Sequence, residues 1–151
     1  MNQIIFFCAT YFIYVSIIFT TTYLFLKGDK KYFLRNLIVT LGGATLAWII
    51  AHFLKDFFAH PRPDLTLALL EPNDPYSFPS GHASFMFALG FLMSNLNKRA
   101  GIIILILALV TGIGRVLSGV HFWYDILGGV ILGYIVSYLI FFFYKKYFYK
   151  S

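Results

Sequence analysis

Charge is scarce in this 151-residue chain. Lys, Arg, Asp and Glu together make up 12% of it, about half the roughly 25% usual in a soluble domain. A soluble chain of this length must coat a large surface with polar groups, and those groups are missing. With 60% of the residues hydrophobic, disorder is excluded more strongly still. Cysteine is almost absent. The single Cys8 excludes an internal disulfide and a multi-cysteine metal site. The amino-terminal MNQII holds no basic residue, so a cleaved signal peptide is not expected and the first apolar run reads as a retained span. Proline is missing from both ends, since all five lie between positions 61 and 79. The length suits one domain, 1–151, without added soluble modules.

The long apolar runs supply the fold class. A membrane-spanning helix needs about 20 largely apolar residues, and the chain supplies five candidates: Ile4 to about Leu26, Leu37 to Leu54, near His82 to near Leu96, Gly101 to about Leu117, and Trp123 to Tyr144, the third and fourth short enough that their ends are expected to reach into the flanking segments. The run GIIILILALV does not alternate as a barrel strand would. The expectation is an all-α, polytopic membrane helix bundle of about five spans.

Five spans put the termini on opposite sides. One side collects Lys27, Lys30, Lys31, Arg35, Lys98, Arg99, Lys145, Lys146 and Lys150, with Asp29 as its one acid. The other collects Lys55, Arg62 and Arg115 against Asp56, Asp64, Glu71, Asp74 and Asp125. The positive-inside rule assigns the first side to the cytoplasm. The amino terminus then faces outward and the carboxyl terminus inward. The net charge of +6, which in a soluble chain would suggest nucleic acid, is instead a topology signal. The expected partner is the bilayer, with no nucleic acid.

Three polar clusters interrupt this apolar pattern: KDFFAHPRP (Lys55 to Pro63), PSGH (Pro79 to His82) and GRVLSGVHFWYD (Gly114 to Asp125). Ionisable groups near hydrocarbon mark function, and the topology brings all three to the outer face. The proline-bearing loop between spans two and three, roughly Asp56 to Pro79, is expected to be an ordered or semi-ordered part of that face.

The chemistry suggested is phosphoryl transfer. Lys55, Arg62 and Arg115 would surround a dianion and stabilise charge on its oxygens. His121 and Asp125 are four apart and share a helical face if span five begins near His121. Asp125 would take one ring nitrogen, leaving the other as a nucleophile toward phosphorus. His82 would protonate the leaving group. Ser80 would cap the helix that starts there, and Gly81 would let an oxygen approach the backbone.

Blander readings stand beside these. Snorkelling toward head groups explains a lone Lys55 but not three clusters on one face. Zinc on His82, His121 and Asp125 is a formal alternative that three nearby cations disfavour. His52 reads as a packing residue and His60 as exposed loop. Asp64 pairs with Arg62 or another base. Trp123 and Tyr124 fit an aromatic belt. Gly129 and Gly133 form a small-xxx-small packing face.

The clusters resemble the type 2 phosphatidic acid phosphatase family, the membrane branch of the PAP2 and vanadium-haloperoxidase superfamily. Its pattern is K-x6-R-P, then P-S-G-H, then S-R-x5-H-x3-D. Lys55 and Arg62-Pro63, then Pro79 to His82, then Arg115, His121 and Asp125 match in order and spacing. The resemblance covers Lys55 to Asp125 and runs on to the end of span five. It implies a metal-free, cofactor-free phosphatase acting on a membrane lipid phosphate or diphosphate. His121 would become a phosphohistidine, oriented by Asp125, with His82 as proton donor. Lys55, Arg62, Ser80, Gly81 and Arg115 would hold the phosphate. Substrates of bacterial relatives include undecaprenyl diphosphate, phosphatidylglycerol phosphate, phosphatidic acid and lipid A, and a bacterial inner membrane with an outward-facing site is the expected location.

Two departures qualify the match. Gly114 stands where the family usually has serine, and the chain shows one amino-terminal helix fewer than the usual six. These are the support for an alternative: a catalytically weak or inactive member that binds lipid phosphates or serves as an assembly subunit. The vanadate-binding branch is typically soluble, which this composition disfavours. Nothing in the sequence fixes the oligomeric state.

Overall fold

The structure, a computed structural model, describes residues 2–148; Lys150, counted above with the inner bases, lies outside them. Helix α1 (Asn2–Lys27) is followed by a 3-10 turn (Lys30–Tyr32), α2 (Phe33–Leu37), a π-helical turn (Ile38–Gly42) and α3 (Gly43–Phe58), which together make one nearly continuous helical segment. Then come α4 (Gly81–Leu96), α5 (Lys98–Leu117) and α6 (Trp123–Phe148). Among the described residues the secondary structure is helical, apart from one isolated bridge between Pro61 and Tyr76.

Four of these segments are long and apolar enough to cross a membrane: Asn2–Lys27, Lys30–Phe58, Lys98–Leu117 and Trp123–Lys146. Their outer faces carry exposed rings and aliphatic chains, with Phe57 at 79% and Phe53 at 73% exposure. In water such faces would aggregate; in a bilayer they are the solvated surface. The chain is therefore a multi-pass membrane protein. Helix α4 differs from the rest. Its 16 residues rise about 24 Å, less than the ~30 Å hydrocarbon core. It is also the centre of the bundle, flanked by α3, α5 and α6, with Met86, Leu89, Leu92 and Met93 fully buried.

Small residues set the close approaches. A Cβ on Gly129 would lie 2.6 Å from the Ala83 Cβ, and one on Gly133 would lie 2.8 Å from the Ala88 nitrogen. The expected small-xxx-small face is thus the α4–α6 seam. This seam brings the start of α6, with Asp125, beside the start of α4, with His82. Helix α1 packs on α5, where a Cβ on Gly114 would meet the Ala9 nitrogen at 3.1 Å.

The helix ends face the site for local reasons. Ala59, at φ 46°, closes α3 in the left-handed conformation, its N–H donating to the Lys55 carbonyl, and turns the chain back over the bundle. The returning loop is ordered: the Ser77 N–H donates to the His60 carbonyl and the Leu69 N–H to the Ser118 carbonyl. Ser80 caps α4 as expected, accepting from the Ala83 N–H at 3.4 Å.

Candidate active site

A cavity of about 190 Å³ opens where α3 and α5 end and α4 and α6 begin. Lys55, Arg62, Gly81, His82, Arg115 and His121 line it, together with Trp48, His52 and a loop segment, Glu71 to Asp74. Ser80 and Asp125 lie directly behind, both fully buried. The three clusters, separated by up to 70 positions, therefore meet in one place. The volume is below the 300–1,000 Å³ of pockets that enclose a whole small molecule. It suits a phosphate group whose apolar remainder lies outside.

His121 and Asp125 form the innermost pair. The His121 Nδ1 lies 3.2 Å from Asp125 Oδ2, and the side chains are 1% and 0% exposed. The same Oδ2 accepts the Phe122 N–H at 2.8 Å. The expected shared helical face is not how they meet: α6 begins at Trp123, so His121 precedes it. The four-residue spacing works through a capping turn that folds His121 over the helix start. Burial, foremost, holds the His121 imidazole below its usual range, to about 4; the Asp125 contact opposes this, and the nearby charges of Arg115 and Arg62 add to it. His121 is thus neutral at neutral pH, with Nδ1 engaged and Nε2 free to act on the cavity side.

The three cations differ in their contacts. Lys55 Nζ donates to both oxygens of Asp74 at 2.9 Å. Arg62 donates through Nη2 to Asp74 Oδ1 at 2.7 Å, through Nε to the Asp74 carbonyl at 2.9 Å, and through Nη1 to the Val120 carbonyl at 2.7 Å. The Nε of Arg115 is buried without a hydrogen-bond partner among the described residues. A buried, unpaired guanidinium nitrogen on a cavity wall calls for an acceptor from outside. Gly81 has a packing reason: a Cβ there would lie 3.2 Å from the Trp48 ring and 3.3 Å from the His52 ring. Among the described residues no three His, Cys, Asp or Glu side chains gather as a metal-holding group.

Two residues escaped sequence reasoning. Asp74 is the carboxylate partner of Lys55 and Arg62, at 31% side-chain exposure. Burial acts to raise its pKa, but its bonds to Lys55 and Arg62 outweigh this and hold it below the ordinary range. Its distance of 19 positions from Lys55 gave no local signal; only the acidic count of the outer loop pointed toward it. Ser77, fully buried, places its hydroxyl 3.1 Å from the Pro61 carbonyl and 3.3 Å from Asp125 Oδ1, its one proton shared between them. Asp64 does not pair with Arg62. Its carboxylate accepts the Thr66 N–H at 3.0 Å and is taken up in capping the 3-10 turn Leu65–Leu67. His60 lies outside the cavity lining, edge-on to Phe122 and Tyr124. His52 packs on Trp48 at 4.1 Å and also lines the cavity.

A helical membrane bundle with three histidines and three cations around a small cavity at one end fits a class, the membrane-embedded phosphate-ester enzymes. The chain belongs to the PAP2 superfamily, which it matches over residues 33–149. It is 29% identical over 149 residues to a bacitracin transport permease protein of Bacillus licheniformis, covering 93% of this chain and 70% of that protein. It is 29% identical over 111 residues to an undecaprenyl-diphosphatase of Bacillus subtilis, covering 71% of this chain and 58% of that one. The crystal structure of a transmembrane PAP2-type phosphatidylglycerolphosphate phosphatase from Bacillus subtilis superposes with a TM-score of 0.70 at 26% identity, over 97% of this chain and 77% of that one. These likenesses class the chain with the lipid phosphate hydrolases.

Proposed function

We propose that this protein is a phosphatase that hydrolyses a membrane lipid phosphate or diphosphate through a phosphohistidine on His121. The observation that carries the reading is the His121–Asp125 contact at 3.2 Å on the wall of a cavity that also holds Lys55, Arg62, His82 and Arg115. Asp125 accepts a hydrogen bond from the Nδ1–H and fixes the tautomer, so Nε2 presents a lone pair. Nε2 attacks phosphorus. An N–P bond forms as the P–O bond to the lipid breaks, and His82 gives its proton to the departing oxygen. Water then attacks the phosphohistidine, His82 taking its proton, and phosphate leaves with His121 restored. Lys55, Arg62 and Arg115, with the Ser80–Gly81 turn, hold the equatorial oxygens throughout. No step is assigned to a metal.

The small cavity at a bundle end favours a substrate whose phosphate enters while its chain stays in lipid. Undecaprenyl diphosphate and phosphatidylglycerol phosphate both meet that description, in keeping with the relatives' names. In this reading α4 is the fifth crossing, residues 1–151 act as one catalytic domain, and the site faces the outer side of a bacterial plasma membrane. Detergent-purified protein is expected to release phosphate from prenyl diphosphates or glycerolipid phosphates with EDTA present, and His121→Ala to release none. Full turnover by that variant overturns the proposal. Binding of lipid phosphates without turnover by the intact protein would instead support the inactive alternative.

A further inference from the structure

The far end of the bundle holds a second polar chamber. Arg35 and Lys55 stand 20 positions apart on one nearly continuous helical segment, about 30 Å of rise, which matches the hydrocarbon thickness. When Lys55 is at one membrane face, Arg35 is at the other. There a chamber of about 630 Å³ is lined by Arg35, Asn36, Asn95 and Lys145 among others, with no acidic side chain among its lining residues. It shares Ser94, Asn95, Phe141 and Lys145 with an adjoining groove of about 390 Å³ along α6, whose wall includes Tyr134 and Tyr138.

Among the described residues, the cations of this chamber lie against rings rather than carboxylates. The Arg35 guanidinium lies 4.1 Å from the Tyr32 ring centre and 5.2 Å from that of Tyr144. Lys145 Nζ lies 5.0 Å over Phe141. Ring contacts orient a cation without neutralising it. The Arg35 Nε is buried with no hydrogen-bond partner among the described residues, a state that native proteins relieve with a ligand or water. The Tyr144 hydroxyl donates to Asn36 Oδ1 at 3.4 Å, and this leaves the Asn36 amide hydrogens as donors.

We propose that this chamber binds the phosphodiester head group of an anionic membrane lipid, with an acyl chain in the adjoining aromatic groove. Two cations and amide donors without a carboxylate select a phosphate oxyanion. The contiguous aromatic groove selects an amphipath over a free ion. Basic pockets between transmembrane helices at the interface are places where anionic head groups dwell. The site is separate from the catalytic cavity and does not depend on the reading given for it.

The test uses the full chain in phosphatidylcholine nanodiscs, with phosphatidylglycerol and inorganic phosphate as separate additions and native mass spectrometry as the readout. Phosphatidylglycerol is expected to bind the wild type. Arg35→Gln and Lys145→Gln should each weaken it about five-fold, while His121→Ala leaves it unchanged. If Arg35→Gln does not fold, Lys145→Gln, at an exposed position, carries the test. Equal affinity in both charge variants overturns the site, as does a loss in His121→Ala equal to theirs. Binding of inorganic phosphate alone overturns the lipid assignment.

Discussion

Asp74 presents both carboxylate oxygens to Lys55 Nζ at 2.9 Å, and one of those oxygens also accepts from Arg62 at 2.7 Å. A loop carboxylate thus occupies two of the three cations assigned to substrate phosphate. An incoming dianion must displace or share these contacts. Asp74→Asn is expected to lower stability by about 1–2 kcal/mol, a partly exposed carboxylate being worth less to its cations than a fully buried one. It should also tighten inhibition by inorganic phosphate. Thermal melts with and without phosphate check this: the variant should melt lower and regain more of its stability on phosphate addition than the wild type.

Ser77 donates toward the Asp125 oxygen that His121 does not use. Ser77→Ala removes a hydroxyl whose one proton is shared between Asp125 and the nearer Pro61 carbonyl at 3.1 Å, a contribution of about 1–1.5 kcal/mol at most. The expected outcome is a roughly ten-fold lower kcat with little change in KM. Steady-state kinetics beside a melting curve separates this from a general loss of folding.

The His121 imidazole, held to about 4 chiefly by burial, is neutral over the ordinary pH range, the form the proposed attack requires. Protonation removes the lone pair, so kcat/KM should fall as pH drops through about 4 rather than through the usual 6.5. Arg115 is one of the charges that depress it. Arg115→Gln, besides weakening phosphate binding, should move this acid limb to higher pH. Asp125→Asn removes a charge that favours the imidazolium and should move it lower. A pH–rate profile of the three proteins reads all of these directions.

Gly114 stands where the family usually has serine, and α1 packs against the place a Cβ would take. A side chain there meets Ala9 backbone at 3.1 Å, which cannot yield as a flexible side chain would. Gly114→Ser is therefore expected to cost about 1–3 kcal/mol and not to raise turnover. Higher turnover at unchanged melting temperature would place the serine's role in the cavity instead.

Much of this site was legible in the sequence because its residues recur at fixed spacings next to helix ends that hydropathy locates. Lys55, Arg62, His82, Arg115, His121 and Asp125 needed only topology to be brought to one face. What escaped is non-local. The Asp74 partnership closes a 19-residue loop, and Ser77 reaches Asp125 across 48 positions. Hydropathy counted α4 as one more span. It could not show that α4 is the buried centre, since a lipid-facing helix and a core helix have similar composition. The four-residue spacing of His121 and Asp125 is helical only if the last helix begins at His121, and the contact is made instead by the turn before α6. The polar breaks in helix α2 and the π turn after it left no period to read.

The most direct test of the central claim is to trap the enzyme during turnover. Purified protein mixed with a radiolabelled lipid phosphate and quenched in alkali is expected to carry label on His121, stable to base and released by acid. His121→Ala should carry none and release no phosphate, and a His82 variant should release product from the labelled intermediate more slowly. An unlabelled wild-type enzyme under single-turnover conditions, or a His121→Ala variant that still releases phosphate, would contradict the account.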